Sequence, residues 1–371
     1  MNSCKICGNK NILISRNLGI CLKCIREKRE EAIKISMKIH EKTRALFNLP
    51  PFPPKEENGK PCNGCGNNCL IPLNAKGFCG LVKNIDNKIV RLAGISEKAI
   101  LEWYYDPIPT NCVAWWVCAA CTGLGYPKYA YTGKGDIGYY NLAVFYGSCS
   151  FDCLFCQNWH FRKLSNDLKP ILSAEELASK AIEKVSCVCF FGGDPSTQMP
   201  HALKTSEIII KNSEENNRIV KICWETNGNM NERYANLAAE FSLKTGGIMK
   251  FDLKFFDETL NIVMTGVSNK QSLKNFENIG RKFFNEREKP PLLAASTLLI
   301  PGYIDEVEIK NIAEFIASIN QEIPYTLLTF YPQYVLNDLP ITSKEMALKC
   351  LKIAREAGLK NVKLGNIHLL K

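Results

Sequence analysis

The stretch YGSCSFDCLFCQNWH, residues 146–160, sets Cys149, Cys153 and Cys156 in the spacing C-x3-C-x2-C, with Phe155 directly before the third. Three thiolates make an unfinished metal site. A structural zinc closes with four protein ligands, and a 4Fe–4S cluster that only carries electrons takes one cysteine per iron, so three cysteines leave one iron open. The competing readings are three thiols that happen to share a strand end, or a zinc completed from elsewhere in the chain.

Further groups of residues could serve a ligand at that open iron. In GGDP, residues 192–195, Gly192 and Gly193 let the backbone come close to a ligand, and Asp194 suits an ammonium group. ETNG offers Glu225 and Thr226, and KFDLK offers Asp252 and Lys254. Glu225 and Asp252 supply oxygens for ribose hydroxyls or a hard cation, Lys254 is a point charge for a carboxylate, and Phe155 offers a face to an adenine ring. An amino acid, a ribose and an adenine beside an open iron describe S-adenosylmethionine (SAM). Taken singly, each group has a plainer reading: GGDP is a common turn, Lys254 a solvated strand end, and His160 a loop residue.

The chain has 371 residues and eighteen cysteines, most of them in tight C-x2-C and C-x3-C groups. In a chain this long the pattern reads as metal binding in a reducing cytoplasm rather than as a disulfide framework. Cys4, Cys7, Cys21 and Cys24 follow C-x2-C-x13-C-x2-C, the spacing of a four-thiolate zinc ribbon or treble clef. Cys62, Cys65, Cys69 and Cys79, followed by Cys112, Cys118 and Cys121, are candidates for an auxiliary site, as iron–sulfur or as zinc. Cys187, Cys189 and Cys223 read as core packing.

The elements that must position these groups are legible as alternating units. LAVFYGS, SCVCFFG, VKICWETN, IMKFDLK, LLAASTLLIP and YTLLTFYP read as strands, with VKLGNI as a seventh, and amphipathic helical patterns lie between them. Right-handed crossovers curl six such units into a partial (βα)6 barrel, an α/β fold whose chemistry gathers at the C-terminal strand ends. Each group named above falls at such an end. The expected organisation is a zinc module with a helix over 1–48, a Pro-rich linker over 49–61, a Cys-rich segment over 62–135 and the barrel over 136–371.

The formal charge of +10 raises a nucleic-acid reading. Filling the metal sites with thiolates lowers it to roughly +4 to +5, and the lysines are dispersed, so nucleic acid is not favoured. No apolar run nears the roughly 18 residues that span a bilayer, and the N-terminus shows no export signal.

The cysteine loop with Phe155, followed by GGDP, ETNG, KFDLK and TGVSNKQSL, resembles the radical SAM superfamily, in its pyruvate formate-lyase activating enzyme-like branch, over residues 140–371. The stretches CNGCGNNCLIPLNAKGFCG and FYPQYVLNDLPITSKE further resemble the radical enzyme of the AmmeMemoRadiSam gene group, back to about residue 60. The resemblance implies a 4Fe–4S cluster on Cys149, Cys153 and Cys156. It implies contact of Gly192, Gly193 and Asp194 with the methionine amino group, and of Glu225, Thr226, Asp252 and Lys254 with its carboxylate and any monovalent cation. It further implies an oxidoreductase of activating-enzyme type: reductive SAM cleavage fed by a low-potential donor of flavodoxin or ferredoxin type, and hydrogen abstraction from a protein or peptide. Two features depart from the pattern: Asp194 stands where the family usually has glutamate, and simple activators lack both the insert NCVAWWVCAACTG and the N-terminal module. The rival readings are a radical SAM enzyme that modifies RNA, and a non-enzymatic multi-cluster electron carrier or zinc-based interaction protein with closed metal sites throughout.

Overall fold

The computed structural model describes residues 1–370. Its centre is one sheet built from eight main strands: β1 (Ala99–Pro107), β2 (Tyr140–Tyr146), β3 (Val185–Gly192), β4 (Lys221–Thr226), β5 (Met249–Asp252), β6 (Leu293–Leu299), β7 (Tyr325–Thr329) and β8 (Val362–Gly365). From β2 to β8 the strands are parallel and stand in sequence order, while β1 pairs antiparallel with β2 and carries the two-residue strand Ile171–Leu172 on its other side. Among the described residues the ladder does not close, its edges being β8 and Ile171–Leu172. The expected six βα units and seventh strand are present as an open barrel.

Period-two alternation explains why the sheet has two faces of different chemistry. Val188 and Phe190 on β3, Ile222 and Trp224 on β4, and Met249 and Phe251 on β5 belong to the large core beneath the helices. Their neighbours Cys187, Cys189, Cys223, Glu225, Lys250 and Asp252 line cavities inside the barrel. The helices of the barrel are α6 (Met199–Glu215), α7 (Glu232–Thr245), α8 (Glu258–Thr265), α9 (Lys270–Phe283), α10 (Glu306–Ile319) and α11 (Lys344–Glu356), preceded by α2 (Arg29–Ala45), as long as α6, and by four short helices. Side chains cap several: Asn231, Asp257, Asp305 and Ser343 accept from first-turn amides, and Gly246 and Gly266 end α7 and α8 in the left-handed conformation.

Three segments depart from the expectations drawn on the sequence. The helix expected over 173–185 is only α5 (Ala174–Ala178), because the chain then turns and offers its carbonyls to Arg218, which donates to Ala181 at 3.0 Å and Val185 at 3.1 Å. Helix α8 has cap signals in Asp257 and Gly266 but an apolar face too short to register as a unit. Strand β1 lies within the Cys-rich segment and extends the barrel sheet, so residues 62–135 are woven into the barrel.

The N-terminal module also docks closely. Helix α1 (Leu22–Glu27) sends Arg26 to both oxygens of Asp305, at 2.6 and 2.7 Å, and α2 (Arg29–Ala45) buries His40 and Arg44 beside the loop after β2. None of the described helices is long and apolar enough to cross a membrane.

Candidate active site

The loop after β2 carries Cys149, Cys153 and Cys156 and is fixed from two directions. The Asp194 amide donates to the Ser148 carbonyl at 2.7 Å, and a Cβ on Gly193 would lie 2.2 Å from that carbonyl oxygen. Gly192 has φ +114°, and a Cβ there would meet the Tyr146 nitrogen at 2.4 Å. Close packing therefore demands both glycines before any ligand is considered. On the other side, the buried Asp152 accepts from Arg162 at 2.6 and 2.9 Å and pairs with His40 at 2.8 Å, with Arg44 at 3.6 Å. Burial alone would raise the Asp152 carboxyl; Arg162, His40 and Arg44 outweigh it and hold the group well below the usual carboxylate range.

A cavity of about 210 Å³ opens above this loop, and the three thiols share its wall with Phe155, Gly192, Gly193, Asp194, Glu225, Asn227, Lys250, Asp252, Lys254 and Ser296. Asn227 donates to Cys149 Sγ at 3.6 Å. Lys250 Nζ lies 2.6 Å from Asp252 and 3.2 Å from Glu225, while Lys254 meets the other Asp252 oxygen at 2.9 Å. Burial opposes the charge on Lys250, but Asp252 and Glu225 more than compensate, so it stays protonated; burial likewise opposes the charge on Asp252, and the two lysines keep it ionised. The result is a fixed, half-buried row of alternating charge facing a cysteine-lined space.

Asp194 and Thr226 hold this rim in place. The Asp194 carboxylate accepts from Ser196 N at 2.8 Å, Asn227 N at 2.6 Å and Thr226 Oγ1 at 3.0 and 3.2 Å. Thr226 is buried on that bond and, unlike the other sequence candidates at strand ends, does not line the cavity. Lys250, Ser296 and Val113 went unnoticed in the sequence, whereas Asn227 was legible as part of the ETNG strand end. For Lys250 the signal was available: in KFDLK, positions 250, 252 and 254 share one face of the strand.

All the remaining cysteines but Cys350, which is buried on α11, fall into three sets. The Sγ atoms of Cys4, Cys7, Cys21 and Cys24 all lie within 4.8 Å of one another, and among the described residues no other group of three or more His, Cys, Asp or Glu is so tightly drawn. These four could bind a metal ion. Cys62, Cys65, Cys69 and Cys79 are mutual neighbours in a knuckle that docks on the cysteine loop. Ser148 donates to the Cys79 carbonyl at 2.9 Å, and Asn67 to the Ser150 carbonyl at 2.7 Å. Cys112, Cys118 and Cys121 go elsewhere, into the barrel interior beside Cys187, Cys189 and Cys223.

An open parallel α/β barrel with three thiols and a charged rim at its C-terminal strand ends defines a class of iron–sulfur enzyme folds. The family model described as the radical SAM superfamily matches residues 143–316. An uncharacterized protein of Methanocaldococcus jannaschii is 25% identical over 320 residues, covering 84% of this chain and 83% of the relative. Another protein of that organism, provisionally named a glycyl-radical enzyme activating enzyme, is 30% identical over 218 residues, covering 55% of this chain and 75% of the relative. Among solved structures, a domain of pyruvate-formate lyase-activating enzyme from Bacteroides vulgatus aligns with a TM-score of 0.37 at 22% identity, over 48% of this chain and 98% of that one. Streptococcus suis SuiB bound to the precursor peptide SuiA aligns with a TM-score of 0.45 at 15% identity, over 60% of this chain and 47% of that one. The chain belongs to the radical SAM superfamily.

Membership implies a 4Fe–4S cluster and SAM, and the residues present fit both. Cys149, Cys153 and Cys156 are neighbours on one cavity wall, as ligands of a shared cluster must be. The cavity next to them offers a cation–carboxylate row to a zwitterion and Phe155 to a ring.

Proposed function

We propose that this chain is a radical SAM enzyme of activating-enzyme type that acts on a protein or peptide. The observation that carries the reading is the single cavity in which three thiols face Glu225, Lys250, Asp252 and Lys254. Cys149, Cys153 and Cys156 hold the 4Fe–4S cluster, and Gly192, Gly193, Glu225, Asp252, Lys254 and Phe155 seat SAM, with Asp194 and Thr226 keeping the strand ends in register. When bound, the pair supplies reductive cleavage of SAM and a carbon radical that takes a hydrogen atom from the substrate. The protein's own part is to orient and to keep water out. Lys254 and Lys250 present positive charge to a carboxylate, and the buried Asp152 network keeps the loop from moving.

A protein or peptide substrate is supported by the relative named as an activating enzyme and by a cavity of about 620 Å³ in the barrel's open side. Trp115, Trp116, Thr326 and Lys363 line it, β8 forms one bank with a free edge, and Val113 lines both this cavity and the SAM site. An extended segment laid along that edge reaches the reacting centre through Val113. Cys4, Cys7, Cys21 and Cys24 hold zinc: a zinc–sulfur bond of about 2.3 Å sets tetrahedral sulfurs roughly 3.8 Å apart, and Cys7 and Cys21 stand at 3.8 Å. Cys62, Cys65, Cys69 and Cys79 hold an auxiliary iron–sulfur cluster, placed by Ser148 and Asn67 directly behind the catalytic one. Eighteen free thiols and an iron site open to oxygen fit a cytoplasmic protein served by a flavodoxin or ferredoxin.

Anaerobic reconstitution with a strong reductant tests the reading. The parent protein should release 5'-deoxyadenosine from SAM, and Cys156→Ala should not; release by the variant at the parent rate removes the site assignment. Perdeuterated extract, split into protein and RNA fractions, tests the substrate class. Deuterium should enter 5'-deoxyadenosine with the protein fraction, and entry with RNA alone would transfer the protein to the RNA-modifying class.

A further inference from the structure

The barrel interior below the SAM cavity gathers six of the eighteen cysteines. Cys187 and Cys189 are alternate residues of β3 and point to one face, and Cys189 stands opposite Cys223 of β4. The Sγ atoms of Cys187 and Cys223 are 3.6 Å apart. Facing them is a plug, residues 108–122, whose only regular element is α3 (Ala119–Thr122). The plug is tied in by Val113 N to Glu225 at 3.2 Å and by Trp116 Nε1 to Thr326 Oγ1 at 3.1 Å. It brings Cys112 against Cys189 and Cys118 toward Cys187, with Cys121 beside Cys118. The Cys121 amide donates to Cys118 Sγ at 3.4 Å.

We propose that these six residues, Cys112, Cys118 and Cys121 on the plug and Cys187, Cys189 and Cys223 on the strands, form a further iron–sulfur site inside the barrel.

Packing alone is a poor account of six thiols here. Alanine or valine would fill the same volume, and the outer face of the same strands is filled by valine, isoleucine and aromatics. Glu225 and Lys250 wall both this interior and the SAM cavity, and Cys112 is bonded to Val113, which also lines the latter. On the radical reading proposed above, free thiols at that distance are a liability. A thiol S–H bond is weaker than a C–H bond, so a thiol gives its hydrogen atom readily to a carbon radical. A sulfur bound to iron has no hydrogen to give. The ligand set is all sulfur, which selects iron–sulfur or zinc, and six thiols exceed the four that close a zinc site, which favours several irons over one ion. Free space between them is about 20 Å³, so loading a cluster requires the plug to move outward.

The test uses full-length protein reconstituted anaerobically with iron and sulfide. A strand variant, Cys187→Ala with Cys189→Ala and Cys223→Ala, and a plug variant, Cys112→Ala with Cys118→Ala and Cys121→Ala, are each compared with the parent. Both should lose the same roughly two to four irons per chain, with matching sulfide, while a SAM-responsive electron paramagnetic resonance signal persists from the cluster on Cys149, Cys153 and Cys156. Loading the parent should also change Trp116 fluorescence as the plug shifts. Full parental iron and sulfide in either folded variant, or loss of zinc in place of iron, overturns the proposal. If circular dichroism shows the strand variant unfolded, the plug variant decides, since its changes lie outside the sheet. A parent that binds all its iron yet leaves SAM intact would remove the radical reading without touching this count.

Discussion

Among the described residues Asp152 is the only carboxylate in hydrogen-bond contact with Arg162 and His40, and both it and Arg162 are fully buried. Asp152→Asn keeps the shape and removes the charge, leaving the guanidinium groups of Arg162 and Arg44 buried without a counter-ion. Breaking a buried pair from one side costs about 3–5 kcal/mol, because the remaining charge stays desolvated. Unfolding entropy of about 2.1 cal/mol/K per residue gives about 0.8 kcal/mol/K for a chain of 371 residues, so the melting midpoint should fall by about 4–6 °C. Differential scanning calorimetry of the zinc-loaded, iron-free protein reads this. Because Cys153 is the next residue, retained iron after reconstitution should fall as well. Adding Arg162→Gln to Asp152→Asn restores charge balance and should recover part of the loss. A midpoint within 1 °C of the parent, or a double variant less stable than the single by the full Arg162 cost, would show that the network does not hold the loop.

Three further outcomes follow from the same geometry. Gly193→Ala drives a Cβ to 2.2 Å from the Ser148 oxygen, so it should cost at least about 1–3 kcal/mol and lower iron content at the adjacent Cys149. Lys250→Met leaves Glu225 and Asp252 facing each other without their shared cation, and the dissociation constant for SAM, measured by equilibrium dialysis, should rise about tenfold or more. His201 is buried against the Tyr146 hydroxyl at 2.8 Å, and burial pushes its pKa down to about 4 from 6.5. Protonation therefore favours the unfolded chain, and stability should fall by about 2 kcal/mol between pH 7 and pH 5 through this group, a slope that His201→Gln should remove in denaturant titrations.

The barrel was legible because its strands are runs of β-branched and aromatic residues bounded by helical periods, and its site because cysteine spacing is a local signal. What escaped were relations between distant segments. Nothing near His40 or Arg44 marks them as partners of Asp152, since the pairing spans more than a hundred residues. Cys187, Cys189 and Cys223 read as packing and are buried in an apolar cluster, but alternation on a strand says which face a residue takes, not that Cys112 and Cys118 stand across the lumen. Cys112, Cys118 and Cys121 seemed to continue the knuckle at Cys62–Cys79 because they follow it in sequence, and only β1, running antiparallel between them, carries the chain from one side of the barrel to its interior. The linker expected over 49–61 was meant to separate two modules, yet Arg44 just before it donates to the Pro50 carbonyl at 2.6 Å while reaching toward Asp152.

These long-range ties share a target. Helix α2 meets the cysteine loop at Asp152, the Cys62–Cys79 knuckle meets it at Ser148 and Ser150, and α8 receives the amides of Asp152 and Leu154 on its last carbonyls, at 2.8 and 2.9 Å. A loop of fourteen residues, 147–160, with no regular secondary structure would otherwise sample many conformations, and each ordered residue costs about 1–2 kcal/mol of backbone entropy. Surrounding it with separately anchored pieces prepays that cost in the folded chain, so that three thiols are already aimed at one place when iron arrives. The N-terminal module thereby has a structural reason to exist even if it never touches substrate: Arg26 ties α1 to Asp305, and α2 holds the cysteine loop through His40 and Arg44.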